Sequence, residues 1–239
     1  MGLLDFLKPK SALEKAAKQV REEYAQPDYR RGAMEKLLDM GTPEAYDALL
    51  KRFTVNANGQ IADEQEKKDL VDELVRAGDK AAERIEHFIR TEKKALTFPL
   101  QALMRIRAPK EARISLLEAL EQHDPSDHRT TQAKVALIDA LGDLVDADGM
   151  DPLLPYLDDH HDDVQASLIQ VIERHRPASA AEALGRVCGS EIHSSRIKRL
   201  SAKTLSSLQL SVRSSYESFD DELKEAYLLG KKGQLVARG

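Results

Sequence analysis

The sequence has little of what several functional classes require. It has no tryptophan, one cysteine and only 5% aromatic residues among its 239 positions. The single cysteine, Cys188, excludes an intramolecular disulfide framework and a zinc site built on several thiolates. No apolar run approaches the ~20 residues of a membrane-spanning helix, and the first residues lack the basic start of a secretory signal. We therefore expect a soluble, cytoplasmic protein.

Residues 1–10 are predicted to form a separate amphipathic segment. Its apolar side chains are Leu3, Leu4, Phe6 and Leu7. Phe6 stands where a myristoylation signal needs Ser or Thr, so lipidation is not expected. The segment can contact a membrane or a partner, or it can fold back over the first helix pair, which we favour because one short apolar stretch binds membranes only marginally.

Charge restricts the protein's partners. There are 36 Lys and Arg residues against 41 Asp and Glu residues, giving a net charge of -5. This balance argues against coating nucleic acid through global charge, although a local basic patch is compatible with it. The 41% hydrophobic content is sufficient for a continuous core.

The chain reads as a succession of helices. Pro and Gly fall between helical patterns, and no segment has the alternating pattern of a strand. Start signals precede several apolar stripes: Ser11–Glu14, Thr42-Pro43, Asp63–Glu66 and Ser179–Glu182. The fold class predicted is therefore all-α.

The helices are predicted to form pairs. Turns between paired helices are expected near Thr42, Asp79, Ala108, Gly149 and Pro177, at uneven spacings that average near the mid-thirties. Each pair can bury its inner face only against its neighbours, which favours an α-solenoid of stacked antiparallel helix pairs. The expected domain is residues 11–228, followed by a Gly/Lys tail at residues 229–239.

A family resemblance supports this architecture. The stretch Leu153–Ile172, with its acidic turn and Val-x-x-x-Leu helix, resembles the junction between HEAT repeats of the short bacterial type. Thr42–Ala45 and Asp79–Ala82 resemble turns within such repeats, and the resemblance spans residues 27–210. Gln165 stands where many repeats have Arg. The resemblance implies an armadillo-like helical superhelix that acts as a binding scaffold rather than as an enzyme.

The residues of known HEAT-like enzymes are absent. Related iron-dependent hydroxylases use His-Glu pairs, but Glu follows none of the seven histidines. Related DNA glycosylases depend on Trp, which the chain lacks. Similarity to phycobilin lyases rests on the repeats alone and does not select a ligand. Phosphate-binding Gly-Lys-Ser/Thr motifs are also missing, and Cys188 falls on an apolar helix face. We predict no enzyme activity, catalytic residue or cofactor.

Two charged segments are the candidate binding sites. Val135–Glu173 contains no Lys or Arg, and its central run holds Asp158, Asp159, Asp162 and Asp163. These carboxylates can steer a basic partner or simply be solvated; helix capping explains them better than a metal, so no metal site is predicted.

The second candidate is a basic helical segment. It holds Arg196, Lys198, Arg199 and Lys203. These residues can contact phosphate, pair with an acidic region of a second copy, or act as a solubilising cap. The function predicted is a protein–protein interaction scaffold that uses the second helices of each pair along its inner surface, for a partner that can have a basic surface. Nucleic-acid binding through the basic segment is the alternative, and an accessory lyase-like role is a more distant one.

Overall fold

A computed structural model describes residues 11–238, so the amphipathic segment predicted at residues 1–10 lies outside the described part. Within it, 69% of the residues are helical, in twelve α-helices and several short 3-10 helices, and the strands form one two-stranded sheet. The prediction of an all-α protein is confirmed. The described part of the chain divides into two compact units, with the boundary between Ala112 and Arg113. No helix of residues 11–238 is long and apolar enough to cross a bilayer.

The first unit consists of helices in two layers. Its helices are α1 (Ala12–Gln19), α2 (Pro27–Met40), α3 (Pro43–Leu50), α4 (Gln60–Ala77), α5 (Asp79–Thr91) and α6 (Thr97–Ile106). A 3-10 helix, Lys51–Thr54, extends α3, and α7 (Pro109–Glu121) contains the boundary between the units. Helix α4 packs against α2 and α6, whereas α3 packs against α5. Each layer is therefore built from alternate helices of the chain.

The sequence signals for helix starts are mostly confirmed in this unit. Ser11 and Glu14 form a reciprocal capping box at α1. Thr42 caps α3 by accepting a hydrogen bond from the backbone N–H of Ala45. Gly41 ends α2 with a φ of 58°, a left-handed conformation that glycine adopts without steric cost.

The start predicted at Asp63–Glu66 is wrong. Helix α4 begins at Gln60, one turn earlier, after Gly59. Asp63 and Glu66 instead point into the unit, where both are buried. Their carboxylates bind buried cations rather than free backbone N–H groups of a first turn.

The second unit combines helices with a short strand pair. Its regular elements are α8 (Thr131–Gly142), α9 (Asp162–His175), α10 (Ala180–Gly189), α11 (Ser195–Leu208), α12 (Asp221–Ala226), β1 (Tyr227–Leu229) and β2 (Leu235–Ala237), with 3-10 helices at His128–Thr130, Ala147–Gly149, Leu154–Asp158 and Tyr216–Ser218. Helix α9 packs between α8 and α11, while α10 contacts α11 and the 3-10 helix Leu154–Asp158. Stripe residues such as Leu137, Leu168 and Leu205 are fully buried, as the helical periodicity predicts.

Two expectations fail in the second unit. Ser179 precedes α10 but makes no capping hydrogen bond through its side chain. The expectation that the chain has no strand is wrong at residues 227–237, where β1 and β2 pair antiparallel through a turn that contains Gly233 at φ 86°. Runs of three residues are too short to give a clear alternating pattern, and part of this region was predicted to be a Gly/Lys tail.

Candidate functional site

A groove between α2 and α4 is the candidate site of the first unit. It has a volume of about 230 Å3, and its apolar wall consists of Met34, Leu38 and Leu70. Its charged lining residues are Arg31, Glu35, Glu66, Asp69, Asp72, Glu73 and Arg76. The groove therefore combines a short apolar wall with charged residues that are mostly acidic.

Two of the rim carboxylates already have cationic partners. Asp72 accepts a hydrogen bond from Arg105 at 2.7 Å, and Glu73 pairs with Arg76 at 2.5 Å. Both pairs are exposed, so solvent screens them.

Two other rim carboxylates remain open to a partner. Glu35 is exposed and forms no ion pair within residues 11–238, and Asp69 accepts a hydrogen bond only from Gln65, at 2.8 Å. Because they flank the apolar wall from opposite helices, Glu35 on α2 and Asp69 on α4 give the groove its free negative charge.

A buried ionic cluster adjoins the groove through Glu66, the one member of the cluster among the lining residues. It consists of Arg30, Arg52, Asp63, Glu66 and Lys67, and no member exceeds 7% relative exposure. The guanidinium of Arg30 donates to Glu66 through Nε and Nη2, at 3.0 and 3.1 Å. Arg52 donates to both Glu66 and Asp63, and Lys67 lies 2.7 Å from Asp63. The cluster thus joins α2, the 3-10 helix Lys51–Thr54 and α4.

The cluster is a structural element rather than a reactive one. Burial on its own would raise the pKa of Asp63, but hydrogen bonds from Lys67, Arg52 and the backbone N–H of Ala57 hold that pKa below its usual value. Remaining donors are also satisfied, since Arg52 Nη1 donates to the carbonyl of Val55 at 2.9 Å. The cluster therefore fixes the position of Glu66, which lines the groove.

In the second unit, the predicted acidic segment is largely used within the fold. Asp158 pairs with Arg186 at 3.1 Å and approaches Nε2 of His193 at 3.4 Å. Asp159 is completely buried against Lys134, with 2.5 Å between the charged atoms. A buried carboxylate cannot contact a partner, so Asp159 is not a surface residue, contrary to the prediction.

The other two acidic residues lie at the start of α9. Asp162 accepts a hydrogen bond from the hydroxyl of Ser194 at 2.6 Å. Asp163 pairs with Arg196 at 3.4 Å, and Asp162 lies 3.8 Å from the same guanidinium. The predicted acidic and basic segments are therefore neighbours that contact each other.

Most of the predicted basic segment is paired as well. Lys198 lies 2.7 Å from Asp220 and is largely buried, and Arg199 pairs with Glu222 at 2.5 Å. Lys203 is exposed and has no ion pair within residues 11–238. The structure therefore leaves Lys203 as the member of this set that is free to contact phosphate without breaking a salt bridge.

Burial shifts the pKa of three titratable groups in the second unit. Burial lowers the pKa of His193, outweighing the opposing effect of Asp158. Burial also raises the pKa of Cys188 to about 12 and that of Tyr156 to about 12. In each of these three groups, burial therefore favours the uncharged form of the side chain.

The histidine-rich turn has a capping role. His161 is the N-cap of α9, and its Nδ1 accepts a hydrogen bond from the backbone N–H of Asp163 at 3.2 Å. Among residues 11–238, no group of His, Cys, Asp and Glu side chains has a geometry that could hold a metal ion. The N-cap is therefore a histidine and not one of the carboxylates, of which Asp162 and Asp163 lie in the first turn of α9.

The groove and the buried charges were not predicted from the sequence. A signal was present: Arg30, Ala33, Met34 and Leu37 have the i, i+3, i+4, i+7 spacing of one helix face, so Arg30 occupies an apolar-stripe position. A charged residue at such a position indicates a buried ion pair. The groove itself depends on how α2 and α4 pack, which sequence spacing does not determine.

Comparison with known proteins adds no identity to this geometry. No protein-family description, curated protein or solved structure matches the chain.

Proposed function

We propose that the chain is a HEAT-like α-solenoid that serves as a non-enzymatic scaffold for a protein partner. The observation that carries this proposal is the groove between α2 and α4, with an apolar wall flanked by the free carboxylates Glu35 and Asp69. Such a groove suits an amphipathic segment whose apolar side chains enter the channel and whose Lys or Arg residues reach the rim.

The repeat architecture is supported by a series of ion pairs. Carboxylates on one helix pair with arginines about one repeat later in both units: Asp47 with Arg84, Asp72 with Arg105, Asp143 with Arg174, Asp158 with Arg186 and Asp163 with Arg196. Their sequence separations are 37, 33, 31, 28 and 33 residues. These values agree with the spacing of the predicted helix-pair turns, as expected when successive repeats stack in the same orientation.

The proposal places the partner differently from the sequence-based expectation. That expectation assigned the contacts to the second helices of each pair, such as α3 and α5, whereas the groove lies between the first helices α2 and α4. Nucleic-acid binding by the basic segment remains a second proposal, but Arg196, Lys198 and Arg199 would each have to leave a carboxylate to bind phosphate.

The test is affinity capture with surface-charge variants as bait. Wild type is compared with Glu35→Lys/Asp69→Lys, which reverses the free charges of the groove, in a nuclease-treated lysate at low and high salt. The matched control is Glu44→Lys/Glu83→Lys, since both residues are exposed and lie on the second helices α3 and α5.

We expect a specific protein to be retained by wild type and the control, and to be lost from the groove variant. The captured protein is then purified and titrated against all three baits, with at least a tenfold weaker Kd expected for the groove variant. Loss of binding in the control alone would return the contact surface to the second helices. The scaffold proposal fails if no protein is retained after nuclease treatment.

A further inference from the structure

The C-terminal strands form a compact ribbon that is fixed to the second unit. Leu235 of β2 is fully buried, and its carbonyl accepts a hydrogen bond from the hydroxyl of Ser206 on α11 at 3.1 Å. The backbone N–H of Val212 donates to the carbonyl of Gly233 at 2.8 Å, and the hydroxyl of Tyr216 donates to the carbonyl of Tyr227 at 2.8 Å. Both ends of the ribbon are thus held in place.

The outward face of the ribbon has an apolar centre. Leu228 and Val236 are directly opposite each other in the strand register, and they are 47% and 44% exposed. Because directly opposite residues of an antiparallel pair project from the same face, their side chains form one exposed aliphatic patch. Arg238 lies two residues beyond Val236, so it projects from that same face.

Cations flank this apolar centre at both ends. Lys231 and Lys232 occupy the turn between the strands, and Arg213 lies beside that turn, donating to the carbonyl of Lys231 at 2.6 Å. Arg238 is exposed at the other end. None of these four residues forms an ion pair within residues 11–238, and residues 227–238 contain no Asp or Glu.

We propose that this cationic ribbon, defined as Arg213 with residues 227–238, docks on an anionic lipid surface. Exposed Lys and Arg residues are attracted to the negative surface potential of acidic lipids. Each cation near the surface increases partitioning onto the membrane roughly fivefold. The aliphatic pair can enter the region between headgroups and acyl chains, which adds apolar burial. Nucleic acid also attracts cations, but its phosphates offer nothing to an exposed Leu–Val pair at the centre of the face, so lipid is the better fit.

The proposal is tested by flotation with vesicles of phosphatidylcholine alone and of phosphatidylcholine with 30% phosphatidylserine. We expect the full-length protein to float only with the mixed vesicles, and to dissociate as salt is raised.

Lys231→Glu/Lys232→Glu should lower partitioning at least tenfold. Leu228→Thr/Val236→Thr should lower it severalfold while keeping strand-compatible side chains. Lys80→Glu/Lys110→Glu is the matched control, because both lysines are exposed in the first unit and outside the ribbon. Circular dichroism and Tm verify that each variant is folded.

Several results overturn the proposal. It fails if wild type does not float with mixed vesicles, or if the ribbon variants float as well as the control. It also fails if deleting residues 2–8 abolishes flotation while Lys231→Glu/Lys232→Glu does not, since the contact then belongs to the N-terminal segment.

A labelled DNA duplex is tested in the same buffers. Binding of that duplex in a ribbon-dependent way, without flotation, would assign the surface to nucleic acid. The groove variant Glu35→Lys/Asp69→Lys should float normally, which separates this proposal from the protein-scaffold proposal.

Discussion

The ammonium group of Lys134 lies 2.5 Å from a carboxylate oxygen of Asp159, and neither side chain is accessible to solvent. Lys134 also donates to the carbonyls of Asp124 and Pro125, each at 3.1 Å. The second carboxylate oxygen of Asp159 accepts a hydrogen bond from the backbone N–H of His161 at 2.9 Å. The pair therefore joins α8, the loop before it and the turn that precedes α9.

Removing one partner of this pair should be strongly destabilising. In Lys134→Met the carboxylate of Asp159 remains buried without a counter-ion, which typically costs about 3–5 kcal/mol of unfolding free energy. Replacing both residues, as Lys134→Met/Asp159→Leu, should recover part of that loss, because no unpaired charge then remains. Urea unfolding followed by circular dichroism measures both effects.

An exposed pair in the same unit provides the control. Arg174 lies 2.7 Å from Asp143, but both side chains are more than half exposed. Arg174→Gln should change the unfolding free energy by less than about 1 kcal/mol. Equal effects of Lys134→Met and Arg174→Gln would contradict the burial of the Lys134–Asp159 pair.

The buried cluster should make the stability of the first unit depend on pH below the ordinary pKa range of carboxyl groups. The pKa of Asp63 is held below its usual value, so its ionised form stabilises the fold at any pH above the ordinary carboxyl pKa. This contribution to the unfolding free energy is lost as the pH falls through the lowered pKa. We expect Asp63→Asn to lose about 2 kcal/mol at pH 7, and the difference from wild type to shrink as the pH falls below 4. Chemical denaturation between pH 7 and pH 3 measures that difference.

An exposed aspartate makes the comparison specific. Asp28 is almost fully exposed and lies 3.8 Å from Arg31. The unfolding free energy of Asp28→Asn should differ from that of wild type by the same amount across the whole pH range. A constant difference between Asp63→Asn and wild type from pH 7 to pH 3 would show that the charge of Asp63 is not what stabilises the cluster.

The helices could be predicted from the sequence because their signals are local. Gly41, Thr42 and Pro43 mark one turn through backbone conformation, a capping hydroxyl and a fixed φ, and the structure has all three in those roles. The spacing of apolar residues likewise identified buried positions such as Leu137 and Leu168.

The partners of the charged residues could not be predicted in the same way. Asp163 and Arg196 are 33 residues apart, and their contact depends on how α9 and α11 pack. Reading each charged segment separately therefore suggested two free surfaces where the fold places many of the charges against each other. The groove and the ribbon face depend similarly on packing, and the apolar pair of Leu228 and Val236 emerges only once the strand register is known.

His193 should give a second pH dependence, in a higher range than that of Asp63. Burial lowers the pKa of His193, although Asp158 opposes the shift, and the nearby cations Lys198 and Arg186 reinforce it. The unfolded chain then binds the proton more readily than the folded one, so stability is full above the ordinary histidine pKa near 6.5 and falls as the pH drops through the lowered value.

The variant His193→Gln should remove this dependence of stability on pH. In wild type the neutral side chain of Gln165 lies 3.2 Å from the imidazole ring. Tm measured from pH 8 to pH 5 should therefore decline less in His193→Gln than in wild type. The exposed residue His87 supplies the control, because His87→Gln should decline as wild type does. A wild-type Tm that rises on acidification through this range would contradict the direction of the pKa shift.

Cys188 should report the opening of the second unit. The thiol is fully buried, its Sγ lies 3.7 Å from the carbonyl of Lys198, and burial raises its pKa to about 12. Since the thiolate is the reactive form, the raised pKa lowers its fraction at pH 8 far below that of an ordinary thiol. A thiol reagent such as DTNB should therefore react very slowly with the native protein and rapidly with the chain in urea.

The labelling rate should rise with urea in parallel with loss of helix. Lys134→Met, which weakens the same unit, should be labelled at lower urea than wild type. Rapid labelling of native wild type would show that the thiol is accessible and that α10 and α11 separate under native conditions.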